Sequence, residues 1–342
     1  MISKIIEESL IQKVNQLVDE AAHIVIVAHE NPDGDAIGSS LGMMHFLQAY
    51  GKEDVKVLIP NEIPHNLTWM PGADRIFVYT LQAESCKRVL QEADLILFLD
   101  LNDIERTGKM AELFKGLSAQ RVLIDHHEFP QPFAPVTLSY PNIASTSELV
   151  FRYICRSSCL DYLNKEAAVC IYTGMMTDTG NFAYNSNQPD MYIIVHYLLQ
   201  KGVDKDAVYR KVFYAYSEDR LRMTGYILYK AMEILPEYHT AVTAISKRRL
   251  TSFNYRQGDT ENIVNMPLQI EGVNISIFLR EDNPIRISFR SVGDIPVNRL
   301  ANSLFGGGGH KNAAGARYRG KLSDAVEIIK QALPAFVESL EK

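Results

Sequence analysis

Short runs of Val, Ile and Leu recur through the first 125 residues, at 23–28 (HIVIVA), 55–59, 76–79, 95–99 and 122–124. Most are separated by segments in which apolar residues return every three or four positions. A strand buried on one face alternates apolar and polar residues, whereas one buried on both faces is apolar throughout. The pattern therefore predicts an α/β fold, with an N-terminal doubly wound, mostly parallel sheet covered by helices on both sides. Residues 2–20 read as a helix with Ile2, Ile5, Ile6, Leu10, Val14, Leu17 and Val18 along one side. Other helices are predicted over 36–50 with Gly51 as cap, over 164–179, and from Ser145 to about 157, where Ser145 and Glu148 form a capping box.

Helical spacing continues through 190–202, 204–215 and 217–234, and from Tyr238 the period changes to two. YHTAVTAIS, VNISIFLR and IRISFRS alternate like strands, and EDNP at 281–284 is a hairpin joining the last two. A helix near 296–305, the stretch GGGGHKNAAG and a final amphipathic helix complete a smaller C-terminal α/β domain with a mixed sheet. The expected organisation is a catalytic domain over 1–190, a helical connector over 191–236 and a second domain over 237–342, the boundary lying within 185–240.

The length of 342 residues exceeds one ordinary core. No run of about 18 apolar residues offers a membrane span, and the mixed-charge N-terminus is unlike a signal peptide. Cysteines 86, 155, 159 and 170 form no C-x-x-C pair, which fits reduced thiols in a cytoplasmic protein. A net charge of −6 argues against a wholesale nucleic-acid coat. Residues 240–320 nevertheless hold 11 Lys and Arg against 6 Asp and Glu, an excess that suits a small anionic ligand held between a basic and an acidic half.

Polar residues able to bind metal follow several of the apolar runs. HENPDGD (29–35), LFLD (97–100) and IDHHE (124–128) each begin at or near a strand end, and MMTD (175–178) ends a helix. In parallel sheets, ligands bind beyond the carboxyl ends of the strands. That places His29, Asp33, Asp35, Asp100, Asp125, His126 and His127 on one rim. His29, Asp33, Asp35, Asp100, His126 and Asp178 form a ligand set for two divalent metals. Its carboxylate-rich character suits Mn²⁺ better than Zn²⁺. Two ions about 3.5–4 Å apart would share a carboxylate and a water, leaving positions open for phosphoryl oxygens. Gly34 is expected to let the backbone fold tightly between Asp33 and Asp35. GGGGH at 306–310 fits neither a Walker A loop nor a dinucleotide fingerprint. Its glycines would expose backbone N–H groups to an anion or admit a base closely, with His310 and Lys311 as added donors and Arg290 at the end of the neighbouring strand.

With these residues assembled, the chain resembles the DHH phosphoesterase superfamily, and within it the NrnA-like branch of bifunctional oligoribonucleases and 3′-phosphoadenosine 5′-phosphate (pAp) phosphatases. HENPDGDAIGSS, LDLNDIERTG, IDHHE and TDTGNF look like its four motifs in order, and ISFRS and FGGGGHKNAAG like its DHH-associated C-terminal domain. The resemblance implies one manganese on His29, Asp33 and Asp100 and another on Asp35, Asp100, His126 and Asp178, with Asp100 bridging. It implies that Asp125 orients a histidine and that His127 faces the phosphate. Arg290, Gly307, Gly308, Gly309 and His310 would hold the terminal nucleotide, and Arg106 would be a structural partner of the site. One departure is that Asn181, Phe182 and Ala183 stand where relatives often carry a basic residue.

The expected activity is manganese-dependent hydrolysis of short single-stranded RNA and of pAp, in a cleft between two domains, with no membrane involvement and a homodimer left open. The nearest alternative is a phosphodiesterase of cyclic dinucleotides or of linear products such as pApA and pGpG. That alternative is disfavoured by the lack of a membrane or sensory segment before the first motif. A nucleotide sensor without turnover and a general phosphomonoesterase are weaker readings.

Overall fold

Both faces of the first sheet are covered, and its central strands are largely apolar, LILFL (95–99) being buried at every position. Its six parallel strands are β1 (His23–Val27), β2 (Asp54–Ile59), β3 (Phe77–Val78), β4 (Leu95–Leu99), β5 (Gln120–Asp125) and β6 (Val136–Ser139). Among the described residues this unit has seven α-helices: α1 (Glu8–Glu20), α2 (Gly34–Tyr50), α3 (Ala83–Glu92), α4 (Thr146–Arg156), α5 (Lys165–Asp178), α6 (Pro189–Gln200) and α7 (Lys205–Phe213). Ile24 and Ile26 enter one core with α1, α2, α4 and α5, while Val25 and Val27 enter another with Cys86, Leu90 and Phe114. The computed structural model describes residues 2–214 and 216–340, which fall into two units, 1–215 and 216–342.

The strand order is β3-β2-β1-β4-β5-β6. The chain runs outward from β1 to β3 and then returns to the other side of β1 as β4. Between the carboxyl ends of β1 and β4 the crossovers diverge and leave a crevice, the usual ligand position in an open sheet of this kind.

Above that crevice α2 crosses α5 through glycine. A Cβ on Gly38 would lie 2.7 Å from the Cys170 carbonyl oxygen and 2.8 Å from Gly174 Cα. One on Gly34 would lie 2.2 Å from Thr177 Oγ1. Gly34 is thus required by contact with α5 and already belongs to α2, rather than serving as the turn expected between the two carboxylates. The close crossing brings Asp35, in the first turn of α2, near Asp178, the last residue of α5.

The second unit carries a mixed six-stranded sheet, ordered β11-β12-β10-β9-β8-β7. Its strands are β7 (Met232–Leu235), β8 (Thr240–Ile245), β9 (Ile275–Arg280), β10 (Ile285–Ser291), β11 (Gly308–His310) and β12 (Ala313–Tyr318). Its helices are α8 (Glu218–Tyr226), α9 (Lys247–Ser252), α10 (Val297–Phe305) and α11 (Leu322–Glu338). Ile285, Ile287 and Phe289 of β10 pack with Val297, Leu300, Ile329 and Leu333.

Several boundaries differ from expectation. Residues 2–7 are not helical, because Ser3 is held by Asp190 and its carbonyl accepts from Arg152 at 3.2 Å. Within α1 it is Ile11, not Leu10, that is buried. The helix expected over 217–234 gives way after a wider turn over Ile227–Ala231 to β7, which pairs antiparallel with β8. Strand β6 was not anticipated, since four residues of alternating burial carry too little periodicity to separate from a loop. Part of the glycine-rich stretch is a strand, since Gly308–His310 pairs with Ala313–Gly315 as the sheet's edge hairpin. Among the described residues no helix is long and apolar enough to cross a membrane, and the four cysteines are free thiols.

Gly38→Ala is expected to destabilise the chain by about 1–3 kcal/mol through overpacking against α5 backbone. Gly51→Ala, where φ is +107° and the space around a Cβ is open, should cost only about 1 kcal/mol of backbone strain. Denaturant unfolding of the two variants checks this, and equal losses would mean that the α2–α5 crossing is not tight.

Candidate metal centre

Asp100 closes β4 in a left-handed conformation, φ +63°, which costs a non-glycine residue on the order of 1–2 kcal/mol. The strained backbone turns a carboxylate only 2% exposed into the crevice. Its Oδ2 lies 3.5 Å from His29 Nε2, and its Oδ1 lies 3.6 Å from His126 Nε2. Each oxygen therefore faces a different imidazole.

Both imidazoles are fixed from behind. His29 Nδ1 donates to the Glu30 carbonyl at 3.0 Å, and His126 Nδ1 donates to the Ile143 carbonyl at 3.1 Å. A proton held at Nδ1 leaves the Nε2 lone pair directed at the crevice, as a metal-binding histidine requires. His29, Asp33 and Asp100 present ligand atoms within 4.8 Å of one another, and so do Asp35, Asp100 and His126. Asp178 joins the second group through His126 Nε2 at 3.5 Å. A carboxylate at the carboxyl end of a helix faces the negative pole of the backbone dipole, so Asp178 favours a cation beside it. The six side chains expected as ligands thus reach one rim, and a donor set of carboxylates with imidazoles suits hard divalent ions.

Asp125 is fully buried, and its Oδ1 accepts from His127 Nδ1 at 2.7 Å while Oδ2 accepts from the His127 backbone N–H at 3.1 Å. The histidine it orients is therefore His127, whose Nε2 is left for other partners. Asp33 has a second task that the sequence reading did not assign. Its Oδ1 caps α2 by accepting from the backbone N–H groups of Asp35 and Ala36.

The start of α4 was missed as part of the site. Asp35 accepts from the backbone N–H of Thr146 at 2.6 Å and of Ser147 at 2.9 Å, so a helix amino end cradles this buried carboxylate. The Thr146 hydroxyl donates to Asp100 Oδ1 at 3.0 Å. The signal was present in Ser145-Thr146-Ser147, where the capping box marks a helix start and hence free N–H groups.

Charge is strongly coupled here. Burial, with Asp100 and Asp178 nearby, raises the Asp35 pKa well above the usual carboxylate range. Burial also works against ionised Asp100, yet the three histidines hold its pKa well below that range. Burial opposes charge on His29 and His126, but the surrounding carboxylates raise both above the ordinary 6.5.

In the second unit, Arg290 lies near the end of β10, opposite Ala313, and donates to the Phe289 carbonyl at 2.9 Å. Lys311 occupies the turn after β11 and pairs with Asp294. A Cβ on Gly307 would meet the Gly315 carbonyl oxygen at 2.4 Å, and one on Gly309 would meet that of Ala313 at 2.4 Å. Those two glycines are needed for close strand approach, while Gly308 has open space. Trp69 and Tyr79 pack against cores on opposite faces of the first sheet.

Residues 23–175 match the DHH family, N-terminal domain, and residues 238–337 match the DHHA1 domain. The chain belongs to the DHH family. A solved structure described as an exopolyphosphatase-related protein from Bacteroides fragilis is 46% identical, with a TM-score of 0.95 over the whole of both chains. The bifunctional oligoribonuclease and PAP phosphatase NrnA of Thermus thermophilus is 28% identical over 91% of this DHH chain and 89% of the relative. The cyclic-di-AMP phosphodiesterase GdpP of Bacillus subtilis is 23% identical over 95% of this chain but only 49% of its own length. This membership supports a hydrolase acting on phosphoester bonds.

Two outcomes follow from the geometry. Because His29 and His126 hold protons to higher pH than ordinary imidazoles, metal must displace them, and affinity falls as pH drops. Calorimetry should find Mn²⁺ binding weaker at about pH 6 than at about pH 8, with proton release on binding. Thr146→Val removes the hydroxyl on Asp100 without changing shape and should weaken Mn²⁺ binding by about 10- to 100-fold. An unchanged titration would mean that Thr146 does not orient the carboxylate.

Proposed function

We propose that this chain is a metal-dependent phosphoester hydrolase acting on short single-stranded oligoribonucleotides and on pAp. The observation that carries the reading is Asp100, whose two oxygens each face a separate histidine with its Nε2 directed inward. Two divalent ions, manganese foremost, would supply Lewis acidity toward phosphoryl oxygens. His29, Asp33 and Asp100 would hold one, and Asp35, Asp100, His126 and Asp178 the other.

The protein's own part is positional and protolytic. Asp125 holds His127 through Nδ1, so Nε2 of His127 would pass a proton to the leaving oxygen as a water oxygen, losing its own proton to bulk solvent, attacks phosphorus and the phosphorus–oxygen ester bond breaks. Arg290, Gly307, Gly308, Gly309, His310 and Lys311 are assigned to the end nucleotide, whose unstacked base and phosphate can be held individually. Similarity to the NrnA relative over most of both chains supports oligoribonucleotides and pAp as substrates. Similarity to GdpP favours linear or cyclic dinucleotides as the second reading.

The test is turnover of pAp, di- to pentaribonucleotides, cyclic-di-AMP and inorganic polyphosphate side by side, with Mn²⁺ and after chelation. Oligoribonucleotides and pAp should be hydrolysed fastest, and only with metal present. Asp100→Ala should keep the unfolding midpoint near that of the parent yet lose hydrolysis by more than about 100-fold, beyond the loss typical of an outer-sphere change. Normal turnover by that variant, or full activity after chelation, would overturn the two-metal reading. Preference for cyclic-di-AMP would overturn the substrate assignment alone.

A further inference from the structure

The loop that leaves the carboxyl end of β5, directly after His127, carries a residue that the mechanism leaves unused. Phe129 stands two positions after His127 and is 79% exposed, among the most exposed large apolar side chains described. Its backbone is left-handed, φ +59°, a region that bulky residues avoid. Pro130 follows, and a residue before proline is biased toward extended backbone, so the conformation runs against both local preferences.

The loop is held in this state from the neighbouring strand end. Asn102, two residues past Asp100, donates through Nδ2 to the Glu128 carbonyl at 2.6 Å, and its own backbone carbonyl accepts from the Gln131 N–H at 2.7 Å. The same loop buries another aromatic, since Phe133 packs edge-on against Phe98 with centroids 5.1 Å apart. Phe133 is thus held against the core, whereas Phe129 of the same loop is turned out to solvent.

We propose that Phe129 is a base-stacking platform, placed to receive the face of a nucleobase adjoining the phosphodiester under attack. This rests on the nucleotide reading above and adds a specificity-determining residue to it. A phenyl ring offers every base a π-face without hydrogen-bond selection, which suits sequence-tolerant recognition of unstacked single strands. Strain at functional rims persists where surrounding contacts enforce it, and here Asn102 does so.

The experiment compares pApA with the same dinucleotide lacking one base, each position removed in turn, using the intact chain with Mn²⁺. The wild-type protein should favour pApA. Phe129→Gly should erase that preference through a rise in KM of about 5- to 100-fold for pApA, with kcat little changed. Glycine also relieves the left-handed strain, so the same variant should unfold at a higher temperature. Phe129→Trp should restore the preference and quench a 2-aminopurine base placed at the stacked position. An undiminished preference in Phe129→Gly would sink the platform while leaving the hydrolase intact. No wild-type turnover of pApA at all would instead remove the nucleotide reading and the platform with it. A change in sedimentation on Phe129→Gly, with the preference intact, would make the ring a contact between copies of the chain and overturn the proposal.

Discussion

Mutual repulsion among carboxylates is the constraint around which the first unit is arranged. Asp33, Asp35, Asp100, Asp125 and Asp178 converge on one crevice, and most of that charge is hidden from water. Like charges at such separations are costly where the local dielectric is low. Each of the three buried carboxylates therefore has a specific counterweight: helix N–H groups for Asp35, the His127 ring and amide for Asp125, a hydroxyl and imidazoles for Asp100. These partners organise the negative charge without cancelling it, and a compact multivalent cation is the natural completion.

The scaffold holds the groups together by two devices of different kinds. Strand order gathers the ends of β1, β4 and β5 at one edge of the sheet, which brings in His29, Asp100, Asp125 and the two following histidines. Helix contact supplies the remainder, since α2 and α5 approach through Gly34, Gly38 and Gly174 closely enough to carry Asp35 and Asp178 inward. Gly174 also faces Ser147, so α4 is seated in the same junction and its amino end reaches Asp35.

Much of this was legible in the residues. Unbroken apolar runs such as LILFL announced strands buried on both faces, and acidic and imidazole groups just beyond them announced a rim. What escaped has physical reasons. Carbonyl partners such as Glu30 O and Ile143 O carry no side-chain identity, so no residue code marks the tethering of His29 and His126. The role of Thr146 depends on the spatial approach of α4, which local spacing does not encode. At the N-terminus, the apolar spacing of Ile2, Ile5 and Ile6 imitated a helix, and the tie from Ser3 to Asp190, far along the chain, decided otherwise. The strand within GGGGH escaped because a strand made of glycine has no side-chain periodicity to read.

The side chains proposed as ligands are drawn from residue 29 to residue 178, most of the length of the first unit. A cation seated there acts as a clasp on the polypeptide, since it can be held only while β1, β4, β5 and α5 keep their mutual places. Occupancy then protects the unit by mass action, withdrawing folded molecules from every partially opened form. Loss of metal would expose the segments between those ligands to proteases well before the hydrophobic layers themselves gave way.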